Sequence, residues 1–120
     1  MKILLVDDEK QICASLKKSL ESAGEFSVET INDAAAAVPA AIKWKPDVVL
    51  LDVMMPGKSG SVIARELKEN ETTKDIPVIF LTGIVSGAEV QSRDNMIGGE
   101  YFAAKPVDTG ALIRLIKKIA

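Results

Sequence analysis

Short apolar runs alternate with helical repeats along the whole chain, and this alternation limits the fold more than any other feature. The five runs are Lys2–Val6, Phe26–Ile31, Val48–Leu51, Pro77–Leu81 and Glu100–Ala104. The first, third and fourth are apolar throughout, as is typical of parallel strands that are covered on both faces. Between the runs, apolar residues recur at helical spacing, as with Ile12, Leu16 and Leu20. A fourth helix is expected near Ala88–Ile97, and Asp108 can cap a last one. The pattern predicts a parallel sheet with helices on both faces.

The helix between the second and third runs is harder to place, because Pro39 lies inside the segment Ala34–Trp44. A proline in a helix interior removes a backbone donor and clashes one turn back. The helix is therefore either kinked at Pro39, or its regular part begins near Val38 with the proline in its first turn. Asn32 or Asp33 can cap this helix.

Composition narrows the functions that are open to such a fold. The chain has 120 residues, with 15 basic and 17 acidic side chains and a net charge of −2, so we expect one domain over residues 1–120. The acidic balance argues against direct nucleic-acid binding. Because there is no histidine, a Ser-His-Asp triad and a His-ligated metal site are both excluded. The single cysteine, and the lack of a signal peptide or a membrane-spanning apolar run, favour a cytoplasmic location with no membrane contact.

Polar side chains follow four of the predicted strands, at the point where each strand ends. They are Asp7 and Asp8 after the first strand, Asp52 after the third, Thr82 after the fourth and Lys105 after the fifth. The carboxyl ends of strands in an open parallel sheet share one edge, where ligands bind. Two carboxylates about 4 Å apart repel by roughly 4 kcal/mol at an effective dielectric constant of about 20, which favours protonation or a bound cation. Oxygen ligands suit Mg²⁺, and Mg²⁺ with Lys105 would let one carboxylate accept a phosphoryl group.

Four motifs, taken in order, resemble the receiver domain of two-component response regulators. They are LLVDDE (Leu4–Glu9), LDVMMPGKSG (Leu51–Gly60), FLTG (Phe80–Gly83) and AKP (Ala104–Pro106). The resemblance covers essentially the whole chain. It implies an α/β, flavodoxin-like (CheY-like) doubly wound sheet of five parallel strands in the order 2-1-3-4-5, with five helices on its two faces.

The resemblance also implies a role for each residue at the shared edge. Asp52 would be the nucleophile that receives a phosphoryl group from the phosphohistidine of a sensor histidine kinase or a phosphotransfer protein. Asp8, Asp52 and the main-chain carbonyl of Met54 would bind Mg²⁺ directly, and Asp7 would act mainly through metal-bound water. Lys105 would neutralise a phosphoryl oxygen. The domain would be a switch rather than a turnover enzyme, and it would catalyse its own phosphorylation and slow dephosphorylation.

The family's conformational switch maps onto the last two strands. Thr82 would hydrogen-bond a second phosphoryl oxygen after modification. Phe102 occupies the place of the family's switch aromatic, and the preceding Tyr101 is the alternative. A cis bond between Lys105 and Pro106 is also implied. The modified surface would act on a downstream output domain or effector protein.

Three other functions are possible for such a fold, and the sequence argues against each of them. A nucleotide or flavin binder needs a phosphate loop rich in Gly, Ser or Thr after the first strand, where this chain has Asp7, Asp8 and Glu9. A hydrolase that works through an aspartyl-phosphate would carry a DxD pattern there, which is absent. A degenerate receiver, acting only as a protein-interaction module, is disfavoured because all five key residues are present.

Overall fold

The structure, a computed structural model, describes residues 1–83, 96–97 and 100–120. A six-stranded sheet lies at the centre of this part of the molecule. Its strands are β1 (Lys2–Val6), β2 (Ser27–Ile31), β3 (Val48–Asp52), β4 (Val78–Thr82), β5 (Met96–Ile97) and β6 (Glu100–Ala104). Their spatial order is β2-β1-β3-β4-β6-β5. The five longer strands are all parallel to one another, so the predicted parallel sheet with the order 2-1-3-4-5 is confirmed.

The short strand β5 was not predicted. It pairs with β6 in the antiparallel direction, with Met96 opposite Tyr101 and Ile97 opposite Glu100. The prediction of a helix near Ala88–Ile97 is therefore wrong at its end, and the rest of that segment lies outside the described residues. Two glycines follow Ile97 in the sequence, and glycine is about 1 kcal/mol less favourable than alanine in a helix, which disfavours a helix that continues to Ile97.

Four α-helices lie in the described ranges. They are α1 (Lys10–Glu21), α2 (Ala37–Trp44), α3 (Gly60–Glu69) and α4 (Thr109–Ile119). A 3₁₀ turn at Ala34–Ala36 precedes α2, and the Asp33 side chain accepts a hydrogen bond from the backbone of Ala35 at its start. Pro39 thus lies in the first turn of α2, as the second of the two interpretations predicted. Asp108 caps α4 by accepting a hydrogen bond from the backbone of Ala111, which is also confirmed.

The helices cover the sheet on both faces and bury the central strands completely. Alternate residues of the strands pack on opposite sides, because successive side chains of a strand point to opposite faces. One core cluster contains Leu5, Leu50 and Leu81 and includes side chains of α1 and α4. The other contains Leu4, Leu51 and Phe80 and includes side chains of α2 and α3. All five residues of β3 and of β4 are buried, so the ends of these two strands are held firmly in place.

Strand register brings the predicted polar residues to one level. Val6 pairs with Leu51, so that Asp7 and Asp52 are the next residues on their strands. Thr82 pairs with Ala104, and the backbone N–H of Lys105 donates to the carbonyl of Thr82 at 2.8 Å.

Within the described ranges, no helix is both long and apolar enough to cross a lipid bilayer.

Candidate functional site

Two buried carboxylates and one ammonium group form the centre of the site. Asp7 is 0% exposed and Asp52 is 6% exposed. The Lys105 Nζ lies 2.9 Å from Asp7 Oδ2 and 3.1 Å from Asp52 Oδ1, so that it bridges the two acids. The peptide bond between Lys105 and Pro106 is cis, as predicted. The three side chains come from the ends of β1, β3 and β6. Their closeness is expected, because the carboxyl ends of parallel strands lie at one edge of the sheet.

One ammonium faces two carboxylates in this group, and burial and hydrogen bonding shift the pKa of Asp52 and of Lys105. Burial raises the pKa of Asp52, and the negative charge of Asp7 adds to the effect; the hydrogen bond from Lys105 opposes both without cancelling them. Burial alone would lower the pKa of Lys105, but its hydrogen bonds to the two acids outweigh this and the pKa is raised. Lys105 therefore stays charged, and one ammonium does not satisfy two carboxylates. A further cation at this edge would favour the ionised form of Asp52.

The donor set fits a magnesium ion. Asp7, Asp8 and Asp52 each offer a carboxylate oxygen, and these oxygens lie within 4.8 Å of one another. Mg²⁺ binds oxygen at about 2.1 Å, so two ligands on opposite sides of one ion lie about 4.2 Å apart. The three carboxylates are thus within reach of one ion, directly or through one of its waters. Asp8 is exposed, which leaves room for those waters.

A cavity of about 330 Å³ opens beside Asp52. It is lined by Glu9, Asp52, Val53, Met54, Thr82, Gly83 and Lys105. The backbone N–H of Met54 donates to Asp52 Oδ1 at 3.5 Å, and the Met54 side chain is 71% exposed. A small tetrahedral group on Asp52 would therefore meet Thr82 and Lys105 within one cavity. That Met54 binds a metal through its carbonyl stays a prediction.

The two candidates for the switch aromatic lie on opposite faces of the sheet. Phe102 packs against Phe80, with ring centroids 5.3 Å apart, and belongs with the α2 and α3 side. Tyr101 packs on the α1 and α4 side. Because Thr82 is two residues after Phe80 on β4, Thr82 and Phe102 share one face of the sheet. This geometry favours Phe102 over Tyr101.

Gly60, the last residue of the motif Leu51–Gly60, lets helix α3 begin against the backbone of Asp52. The N–H of Gly60, the first residue of α3, donates to the carbonyl of Val53 at 2.8 Å. A Cβ at Gly60 would overlap the carbonyl oxygen of Asp52 and lie 3.0 Å from the Cα of Val53. Only glycine lets α3 begin this close to the end of β3. A glycine at the start of a helix, after a serine cap, was the available signal.

Two further residues beside Asp7 were not predicted to belong to the site. Asn32, at the end of β2, donates its amide to the backbone carbonyl of Asp7 at 2.9 Å. Cys13 of α1 donates its thiol to the same carbonyl, with Sγ at 3.4 Å. Burial, and after it the charge of Asp7, raises the pKa of Cys13 to about 11, so the protonated thiol is the donor at neutral pH. The sequence offered no signal for these contacts beyond the polar residue after β2.

Comparison with sequence families and with known proteins finds clear relatives of this chain. A family model described as the response regulator receiver domain matches residues 3–117. The phosphate regulon transcriptional regulatory protein PhoB of Pseudomonas aeruginosa is 37% identical over 118 residues, which are 98% of this chain and 50% of PhoB. The chain spans about a quarter to a half of the length of the curated relatives that it matches.

Solved structures show the same fold. The chemotaxis protein CheY4 of Vibrio cholerae superposes with a TM-score of 0.82 and 28% identity, covering 99% of this chain and 98% of CheY4. The receiver domain of the sensor histidine kinase PA1611 of Pseudomonas aeruginosa gives a TM-score of 0.81 at 26% identity, covering 98% and 95% of the two chains. That structure carries a magnesium ion in its active-site cleft.

Proposed function

Since this chain belongs to the response regulator receiver domain family, we propose that it is a phosphorylation-dependent switch that accepts a phosphoryl group on Asp52. One observation carries the proposal. Asp52, Thr82 and Lys105 line a single cavity, and the oxygens of Asp7, Asp8 and Asp52 lie close enough together to share a metal ion. A nucleophile, an anion-neutralising cation, a hydroxyl donor and a metal site therefore meet at one edge of the sheet.

Each residue has a defined part in the transfer. A carboxylate oxygen of Asp52 attacks the phosphorus of a phosphohistidine, a new O–P bond forms, and the N–P bond breaks with its electron pair returning to the donor's imidazole. The Lys105 Nζ, which lies 3.1 Å from Asp52 Oδ1 in the unmodified protein, pairs with an oxygen of the transferred group. Asp8, Asp52 and the carbonyl of Met54 would hold Mg²⁺ directly, with Asp7 acting through water. When bound, the ion neutralises charge on the phosphoryl oxygens.

The shared face of Thr82 and Phe102 supports a route from the site to the surface. A phosphoryl group on Asp52 gives the Thr82 hydroxyl a new acceptor in the cavity. Movement of Thr82 toward it would free space on the side where Phe102 packs. The phosphoryl group can shift the protein from one conformation to the other only by the difference between its interaction free energies with the two conformations.

The partners belong to the same proposal. The phosphoryl donor is a sensor histidine kinase or a phosphotransfer protein, because this chain has no histidine of its own. The reader of the modified state is an output domain or effector protein, and the transcriptional role in the name of PhoB supports an output of that kind. The chain's net charge of −2 argues against direct binding of nucleic acid by this domain. A cytoplasmic location stays a prediction.

The proposal is tested by incubating the purified protein with acetyl phosphate and following its intact mass. With Mg²⁺, the protein is expected to gain one phosphoryl group. With EDTA in place of Mg²⁺, and in the Asp52→Asn variant, no gain is expected. A wild-type protein that stays unmodified in Mg²⁺ would refute the switch and favour the degenerate receiver that acts only through protein contacts.

A further inference from the structure

Asp8 is the exposed member of the acidic group, and its position depends on the backbone before it. Asp7, in contrast, is fixed through its side chain. Its Oδ1 accepts the backbone N–H of Glu9 at 3.0 Å and its Oδ2 accepts the Lys105 ammonium at 2.9 Å. Asp8 lies in the turn between β1 and α1. The peptide bond that joins Asp7 to Asp8 therefore decides where the Asp8 side chain starts, because it places the Asp8 Cα.

Two side-chain donors hold that peptide bond. The Asp7 carbonyl accepts the Asn32 amide at 2.9 Å and the Cys13 thiol at 3.4 Å. The Asn32 amide also contacts Cys13 Sγ at 3.3 Å, so the three groups form one small network. A peptide unit is planar. Fixing its carbonyl oxygen therefore also fixes the direction of the Asp8 N–H and the position of the Asp8 Cα, from which the side chain leaves.

We propose that Asn32 is a positioning residue for the magnesium site: with help from Cys13, it holds the Asp7 carbonyl and so aims the Asp8 carboxylate at the ion. The inference rests on the proposed function, because it concerns the ion that the switch needs. Asn32 is the stronger of the two donors, since an amide N–H donates better than a thiol. Residues that orient metal ligands typically contribute ten-fold or more to metal affinity.

The test is a direct titration of the metal-free protein with MgCl₂ by isothermal titration calorimetry. Asn32→Ala is expected to raise the Kd for Mg²⁺ about ten-fold. Asn32→Gln keeps an amide donor and is expected to bind Mg²⁺ more tightly than Asn32→Ala. In the metal-free state, the NMR signal of the Asp8 amide is expected to move in Asn32→Ala, because the carbonyl of its peptide unit loses a hydrogen-bond partner.

Thr73→Val is the matched control. Thr73 is buried and its hydroxyl donates to the backbone carbonyl of Leu67 at 2.6 Å, so the variant also removes one side-chain donor from a backbone carbonyl without changing charge. It is expected to lose stability while the Kd for Mg²⁺ stays within two-fold of wild type. A loss of affinity in Asn32→Ala alone separates positioning from a general loss of stability.

The outcomes separate this inference from the proposed function. If wild type binds Mg²⁺ and is phosphorylated, but Asn32→Ala has the wild-type Kd and Asp8 amide signal, the positioning role is overturned and the switch stands. If wild type binds no Mg²⁺, both fail. Should Asn32→Ala not fold, Asn32→Leu keeps a side chain of similar shape but has no donor, and it is expected to raise the Kd about ten-fold in its place. An unchanged Kd in that variant would then overturn the role.

Discussion

Replacing Gly60 by alanine tests how closely helix α3 approaches the end of strand β3. The added Cβ would overlap the carbonyl oxygen of Asp52 and lie 3.0 Å from the Cα of Val53. Both contacts are with backbone atoms of the segment that carries Asp52, so no side-chain rotation relieves them. Either α3 or the end of β3, which carries Asp52, must shift.

The size of the effect follows from two opposing terms. Inserting a methyl group into a tightly packed place costs about 1–3 kcal/mol, while the better helix propensity of alanine returns at most about 1 kcal/mol. We expect Gly60→Ala to lower the free energy of unfolding by about 1–2 kcal/mol. For a domain of this size, that lowers Tm by roughly 4–8 °C.

Gly110→Ala is the control, because it makes the same change near the start of α4. There the Cβ would meet only side-chain atoms at ordinary distances, the Asp108 Oδ1 at 3.4 Å and the Arg114 Nη1 at 3.6 Å. Urea unfolding followed by circular dichroism is expected to show Gly110→Ala more stable than wild type by about 0.5–1 kcal/mol. If Gly60→Ala were as stable as Gly110→Ala, the close approach at Asp52 would be refuted.

Three further predictions concern side chains around the site. Without metal, Lys105→Met is expected to lower stability at neutral pH by roughly 3 kcal/mol, because two buried carboxylates lose their counter-ion. Because Lys105 opposes the rise in the pKa of Asp52 that burial causes, that pKa rises further in the variant. Protonation at mildly acidic pH then favours the folded variant more than the folded wild type, so urea unfolding should show a smaller deficit there; an equal deficit contradicts this. Met54→Asn is expected to speed phosphate release from the phosphoprotein about ten-fold, or 1.4 kcal/mol, because it replaces an apolar cavity wall by a group that can hold water; an unchanged rate means that Met54 does not control water access. Cys13, buried and with a pKa of about 11, is expected to react with a thiol reagent at least a hundred-fold more slowly in native buffer than in urea, and equal rates would show that it is accessible.

The alternation of strands and helices was visible in the sequence because burial on both faces leaves a simple signal. The apolar run Glu100–Ala104 coincides with β6, and the central strands differ from their runs by one residue at most. Strand β5 could not be predicted from its own two residues. A pair as short as Met96–Ile97 has no periodicity, and its pairing with β6 depends on the connection that follows it.

The candidate site divides in the same way. Asp7, Asp52, Thr82 and Lys105 were predicted because each directly follows a predicted strand, and parallel strands end at one edge. The contacts of Asn32 and Gly60 join elements that are distant in sequence, so they depend on distances that no local pattern contains. Which of Phe102 and Tyr101 shares a face of the sheet with Thr82 depends on the register of β4 and β6, which no local pattern contains.

Mapping the modified residue tests the central claim most directly. The protein is phosphorylated with acetyl phosphate in Mg²⁺ and reduced with borohydride, which converts an aspartyl-phosphate to homoserine, and its peptides are sequenced by mass spectrometry. Because Asp52 alone among the three acids lines the cavity with Thr82 and Lys105, homoserine is expected at position 52 and at neither Asp7 nor Asp8. Homoserine at Asp7 or Asp8, or a phosphoryl group that resists borohydride, would contradict the assignment of Asp52 as the acceptor.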